Sequence, residues 1–484
     1  MAETILPVLT RAPELMAESH SPVRKPLILK LPAELLTEVL KSAARDTADP
    51  TVPASEHVYS YNALWRLALV CRTFSQLARP LLYRTLRISL GQTGDVMTVF
   101  GFHRHIQSLH TSLKANPSLR THCTDVHITI SERAVPNEDF SAATELLSAL
   151  PNVRSLSVHG GLNQKYRAAT WSLIQAALHH MPKLGSLRLQ SGGSGPYLKD
   201  IPHHLKPEIT PCLSSLEIDG LCILGDRPTQ DVKKKYTNTS SITTLSIKNF
   251  NEHSTALEQL LTWPQALTEL TFTKKFSSRY GLDFKTLERH LSTHKDTLKS
   301  LHLGYLCHIS TKGHLLNTSL FPNLETLTIS KYQLPTGPGG PREPLSYSPA
   351  HADALLSPSL RTLRFDCAPV EGVHDCRRAS CYDFHDGEEH WIRMFGREAA
   401  RRKARLRRIE ILFDAAPAPA IPEYFTDPWA RMRDLQSELR DFGVEVGYTE
   451  PSVPSKEYTV ATARELLKYL QQRLELVAWE MGLE

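Results

Sequence analysis

Leu213-Ser214-Ser215-Leu216-Glu217-Ile218 is one copy of a six-residue phrase: an apolar residue, two polar or small ones, an apolar residue, a polar one, and an apolar residue. The phrase recurs ten times between residues 123 and 411, as Cys123-Val126-Ile128, Val153-Leu156-Val158, Leu184-Leu187-Leu189, Leu213-Leu216-Ile218, Ile242-Leu245-Ile247, Leu267-Leu270-Phe272, Leu298-Leu301-Leu303, Leu324-Leu327-Ile329, Leu360-Leu363-Phe365 and Leu406-Ile409-Ile411. An eleventh copy, Tyr83-Leu86-Ile88, starts the series. Most copies follow one another at about 25 to 31 residues, widening to about 36 and 46 near the end, a spacing that marks a stacked supersecondary unit.

The last two apolar residues of each phrase are two apart, so they point to one face of a strand, and the first lies on the turn leading into it. One such strand cannot bury that face alone. Stacking the copies pairs the strands in parallel and merges the triplets into one long core. The segments between them carry helical faces: Ala142, Leu146, Leu147 and Leu150 before Pro151, Trp171, Ile174, Leu178 and Met181 before Pro182, and Phe284, Leu287 and Leu291 before Leu298. Parallel strands require such crossovers. The pattern predicts an α/β solenoid, a horseshoe with parallel inner strands and outer helices.

On these phrases the segment 83–448 resembles leucine-rich-repeat proteins. The asparagine or cysteine usual after the strand in that family is absent, its place taken by Gly161, Gly192 and Leu221 in three copies. Ser157, Arg188, Glu217, Ser246, Thr271, His302, Thr328 and Arg364 fall between the two core residues of their strands, and alternation predicts that they form an exposed row able to contact a protein substrate.

Ahead of the repeats stand Leu31-Pro32-Ala33-Glu34-Leu35-Leu36-Thr37-Glu38-Val39-Leu40 and Leu64-Trp65-Arg66-Leu67-Ala68-Leu69-Val70-Cys71-Arg72-Thr73-Phe74. Pro32 suits a first helical turn, Leu35, Leu36, Val39 and Leu40 read as one face, and the second block has room for a bend at Cys71-Arg72. Short helices of this size bury little alone and invite a partner. The two blocks, in this order, resemble an F-box, a small all-α module that docks on a Skp-type adaptor and so on a cullin-based ubiquitin ligase. The resemblance implies that Leu31, Pro32, Leu35, Leu36, Val39 and Leu40 carry the first contact surface, and Leu67, Val70, Cys71 and Phe74 the second. The polar stretch 41–63 is longer than the link usual in that family.

Four domains follow: a disordered tail 1–26, the helical module 27–82, the solenoid 83–448 with long loops at 191–211, 222–240, 331–358 and 367–390, and a C-terminal capping helix within 449–484. Thr462 to Glu465 reads as a capping box, with Leu466, Leu467, Leu470, Leu474 and Val477 at helical spacing behind it.

A formal charge of +5 is too mild to call for nucleic acid, and no apolar run approaches the roughly 20 residues of a membrane helix. Residues 1–26 lack a secretory pattern, and the eight cysteines form no disulfide framework. Cytoplasm, nucleus or both is the implied compartment. His374, Cys376, Cys381, His385 and His390 are the densest cluster of possible metal ligands, but their spacing leaves no room for a finger-like hairpin, and a polar loop fits better. Arg397, Arg401, Arg402, Lys403, Arg405, Arg407 and Arg408 form the strongest basic run, read as a solvated outer face in preference to a nuclear-import signal or a patch for an acidic partner. No phosphate-binding loop, nucleophile elbow or other catalytic constellation appears. The chain therefore reads as a non-enzymatic, cofactor-free substrate receptor of a ubiquitin ligase, with a non-ligase protein-binding scaffold as the alternative.

Overall fold

The computed structural model describes residues 27–44, 61–91, 106–132, 135–190, 195–220, 236–274, 282–304, 306, 315–335, 344–367, 384, 386–413 and 428–449. The tail 1–26, most of the polar stretch 41–63, His374, Cys376, Cys381 and His385, and the C-terminal helix expected within 449–484 lie outside them. The described residues divide into two units, one up to Tyr83 and one from Arg84 onward.

In the first unit a 3-10 turn (Leu27–Lys30) leads into α1 (Ala33–Ala44), followed by α2 (Tyr61–Ala68) and α3 (Arg72–Arg84). The expected bend is real: Cys71 caps α3, its carbonyl accepting from Ser75 N–H at 2.9 Å and its Sγ from Phe74 N–H at 3.5 Å. Leu36, Leu40, Ala44, Leu64, Phe74, Ala78 and Leu82 make the core of this unit.

In the second unit twelve strands form one parallel sheet in strict chain order: β1 (Thr85–Leu90), β2 (Asp125–Ile130), β3 (Ser155–Gly160), β4 (Ser186–Gln190), β5 (Ser215–Asp219), β6 (Thr244–Phe250), β7 (Glu269–Lys274), β8 (Ser300–Leu303), β9 (Thr326–Ser330), β10 (Thr362–Asp366), β11 (Arg408–Leu412) and β12 (Glu445–Tyr448). Each of the eleven phrases supplies one strand. The register matches the phrases: Leu216 pairs with Leu187 and Leu245, and Ile218 with Leu189 and Ile247. Both residues of every such pair are fully buried, so the apolar rows run unbroken from strand to strand.

One carbonyl at each strand start holds this register. Arg154 O accepts from both Gly185 and Ser186, Gly185 O from Ser214 and Ser215, and Ser214 O from Thr243 and Thr244, and the same doubled bond continues through Arg361 O, which accepts from Arg407 and Arg408. β12 is a strand the phrase does not reveal. Its register aligns Val446 with Ile409 and Tyr448 with Ile411, but Gly443 stands where the leading apolar residue belongs.

Between the strands run α4 (Ile106–Ala115), α5 (Asn137–Ser148), α6 (Arg167–His180), α7 (Asp200–His204), α8 (Ser254–Thr262), α9 (Phe284–Leu291), α10 (Pro349–Leu355), α11 (Asp386–Arg401) and α12 (Pro428–Arg440). The predicted helical faces are the buried ones, with Leu146, Leu147, Trp171, Ile174, Phe284, Leu287 and Leu291 all inward. After β3 the chain turns through Gly160 and Gly161 at φ +78° and +70°, a backbone region open to glycine. Thr170 Oγ1 donates to Gly161 O at 2.7 Å, tying down the turn that an asparagine or cysteine serves in other leucine-rich repeats.

Two of the expected loops contain helices. Within 331–358 sits α10, where Ser348 Oγ accepts from Ala350 N–H at 3.3 Å and Pro349 occupies the first turn. The proline and glycine run before it, 336–343, masked this start signal in the sequence. Within 191–211 sits α7, with Asp200 3.5 Å from Arg167 and the His204 ring stacked on Trp171.

His294, buried after α9, joins neighbouring repeats. Its Nε2 lies 2.5 Å from Leu261 O, and its Nδ1 accepts from Leu267 N–H at 3.4 Å. That pairing fixes a neutral ring with its proton on Nε2. Burial lowers its pKa below the ordinary value, opposed only in part by the Leu261 carbonyl. A depressed histidine stabilises the fold above its unfolded pKa, near 6.5, and loses that contribution as pH falls through its folded value. The urea midpoint is therefore expected to drop below about pH 6.5, and a His294→Gln variant to flatten that decline. An equally steep acid decline in the variant would assign it to other groups.

Candidate docking and recognition surfaces

Helical geometry splits the first sequence block into two faces. Residues one apart on a helix differ by about 100°, so the leucines do not all share one side. Leu36 and Leu40 are 2% and 1% exposed and belong to the core of the first unit, as does Phe74. These three cannot carry a docking contact, and the expectation is corrected for them. Leu31, Pro32, Leu35 and Val39 face outward instead. Of the second block, Val70 is 66% exposed, while Leu67 and Cys71 are half-buried against the core.

Ile28, Trp65 and Leu69 join the outward set, a contribution that the sequence reading missed. Trp65 follows the buried Leu64 by one position, so the same helical geometry that buries Leu64 turns Trp65 out. Among the described residues ten large apolar side chains are exposed, and seven of them are Ile28, Leu31, Leu35, Val39, Trp65, Leu69 and Val70. Single exposed apolar residues are ordinary, but a concentration of this kind on one small unit is a pattern that interaction sites share.

The second surface is the polar row of the sheet. Strand pairing aligns Arg87, His127, Ser157, Arg188, Glu217, Ser246, Thr271, His302, Thr328, Arg364 and Glu410 side by side. All eight predicted positions fall on this row, and Arg87, His127 and Glu410 extend it. Two of the eight are not accessible: Ser157 is 6% and Thr328 4% exposed. Each is a short side chain between two longer ones on adjacent strands, His127 and Arg188 in one case, His302 and Arg364 in the other.

The charges of the row are largely mutual. Glu217 meets Arg188 at 3.0 Å and Lys248 at 2.9 Å, and Glu410 meets Arg364 at 2.6 Å and Arg408 at 2.9 Å. Partly exposed pairs like these are worth about 0–1 kcal/mol each, so they shape the surface more than they hold the fold. His302 sits in the row with its pKa lowered by burial and by the nearby Lys248 and Arg364 charges, which keeps its ring neutral.

Where β9 ends, the chemistry turns inward. Lys331 Nζ lies 3.3 Å from Glu388 Oε1, and both side chains are nearly sequestered, at 8% and 10% exposed. Burial pushes the ammonium down, but the Glu388 carboxylate outweighs burial and holds Lys331 above its ordinary value. The neighbouring Cys367 thiol is pushed well up, chiefly by burial, and stays protonated. Gln333 is fully buried beside Lys331 in sequence, and among the described residues neither of its side-chain polar atoms has a hydrogen-bond partner.

Of the possible metal ligands only His390 is described, within α11, and no group of three or more His, Cys, Asp or Glu able to hold a metal occurs among the described residues. Among the described residues no helix is long and apolar enough to cross a membrane.

No protein-family profile and no curated sequence matches the chain. Among solved structures the chain is similar to the leucine-rich repeat-containing protein LegL7 from Legionella pneumophila, at 15% identity and a TM-score of 0.40, the match covering 73% of this chain and 98% of that one. A likeness at that level adds nothing to the sheet itself. The leucine-rich-repeat architecture rests on one parallel strand per leucine-bearing phrase, stacked in chain order.

Proposed function

We propose that the chain is a non-catalytic substrate receptor whose first unit docks on a Skp-type adaptor, and through it on a cullin-based ubiquitin ligase, while the solenoid surface holds a protein substrate. The observation that carries this reading is the set of seven exposed apolar side chains on the first unit, six of them on the same two sequence blocks that resemble an F-box. The mechanism would be geometric: holding a substrate on the polar face raises its effective concentration near a ubiquitin-charged enzyme brought by other subunits. Cytoplasm or nucleus is the compartment this role implies.

The two faces of α1 give the test its contrast. Leu35→Ser, Val39→Ser and Val70→Ser together replace outward residues, so the full chain is expected to melt as the wild type does and to lose co-purification with the adaptor and cullin at least tenfold. Leu36→Ala instead removes a core side chain and is expected to cost about 2–5 kcal/mol of stability in that unit. Adaptor capture that survives the triple replacement would leave a protein-binding scaffold as the better account.

A further inference from the structure

We propose that a groove at the starts of β11 and β12 binds clustered phosphate groups. The groove has a volume of about 530 Å³ and is lined by Arg361, by Lys403, Arg405 and Arg407 between α11 and β11, and by Phe442 and Gly443 between α12 and β12. Among the described residues no carboxylate lines it. That volume falls in the range of about 300–1,000 Å³ typical of small-ligand sites.

The structure sorts the basic run into two groups. Arg397, Arg401, Arg402 and Arg408 are all spoken for, paired with Glu438, Glu398, Asp353 and Glu410. Arg361, Lys403, Arg405 and Arg407 are exposed, and among the described residues none of them takes an ion pair or a side-chain hydrogen bond. These four cations are the ones that meet in the groove. Among the described residues no carboxylate pairs with them, so four like charges share one groove that suits an anion of high charge density. Phosphate groups carry nearly two negative charges at neutral pH, and guanidinium forks match their oxygens in charge-assisted pairs.

A second observation points the same way. Lys403 has φ +54°, the left-handed region that glycine enters without steric cost. Helices α11 and α12 end alike. Ala404 N–H bonds Ala399 O and Lys403 N–H bonds Ala400 O, just as Val444 N–H bonds Leu439 O and Gly443 N–H bonds Arg440 O. This closing motif takes glycine at its left-handed residue, and α12 has Gly443 there at φ +75°. In α11 a lysine holds the same place, so its ammonium is kept where glycine would be easier. The other non-glycine residues at positive φ among those described are Asn238 and Asn249, a type that tolerates this region.

The inference stands apart from the adaptor reading, since it concerns only the second unit. Its test is titration of the full chain with inorganic tripolyphosphate, and separately with a doubly phosphorylated serine peptide and its unphosphorylated form. Saturable, salt-sensitive binding is expected, weakened at least tenfold by Lys403→Gly and by Arg405→Ala with Arg407→Ala. Lys403→Gly is expected to melt at or above the wild-type temperature, which separates lost binding from lost fold. Binding of tripolyphosphate but not peptide would assign a small polyphosphate, and binding of the phosphorylated peptide alone a modified protein partner; either supports the site. No saturable binding of either probe by folded wild type, or binding that the variants leave unchanged, would overturn it.

Discussion

Leu245→Asp is expected to take apart the middle of the solenoid. Leu245 is fully buried in the apolar row between Leu216 and Leu270. The change forfeits about 1.5–3 kcal/mol of apolar burial and places a carboxylate among leucines, where an unpaired charge costs more again. Together these exceed the roughly 4–5 kcal/mol that marks an exceptional substitution. Stacked repeats lean on their nearest neighbours, so the damage should start locally. Amide exchange is expected to accelerate first at 215–219, 244–250 and 269–274, with β1–β2 and β11–β12 protected longer. Ser246→Asp supplies the control: one residue along, half-exposed on the opposite face, it is expected to leave exchange and urea midpoint nearly unchanged. Equal effects at the two positions would contradict the strand alternation on which the core rests.

The second large effect is expected at Lys331. Lys331→Met withdraws the cation from a nearly sequestered Glu388 carboxylate at the point where β9 meets α11. Removing one member of a buried pair costs up to about 3–5 kcal/mol, because the remaining charge loses its nearest counter-charge in a medium that solvates it poorly. Replacing both, as Lys331→Met with Glu388→Leu, removes the desolvation cost along with the attraction and is expected to restore most of the loss. The readout is the urea midpoint at unchanged slope. A single variant that loses less than about 1 kcal/mol would mean that Glu388 is held without Lys331. A double variant as unstable as the single one would make the loss a matter of packing, not charge.

The core was legible because it is periodic. Each phrase names two buried strand positions, and Leu187, Leu216, Leu245, Leu270 and Leu301 sit where alternation puts them. Where a position departs from the period, the sequence reading falls short. Gly443 at the leading position hid β12, although Val446 and Tyr448 keep the spacing. Leu35 and Leu36 are both leucine, and composition alone cannot assign one to the core and the other to solvent; only the packing of α2 and α3 against α1 separates them. Ser157 and Thr328 obey the alternation yet are covered by the longer side chains beside them, a property of the neighbouring strands and not of their own.

The ion pairs show the same limit. Lys331 and Glu388 stand 57 residues apart in the chain, and no local pattern links them. The basic run at 397–408 was visible, but which of its charges were already matched depended on Asp353, Glu410 and Glu438 from other elements. Arg361 belongs to the groove only because β10 lies beside β11.

The most direct test of the receptor account is a binding isotherm of the purified full chain with a Skp-type adaptor, read by calorimetry and by the mass of the co-eluting species. A one-to-one complex with a dissociation constant below about 1 μM, equivalent to roughly −8 kcal/mol, and abolished by Leu35→Ser with Val39→Ser and Val70→Ser, is the predicted result. A folded chain that gives no heat and elutes alone at micromolar concentrations of both proteins would contradict it.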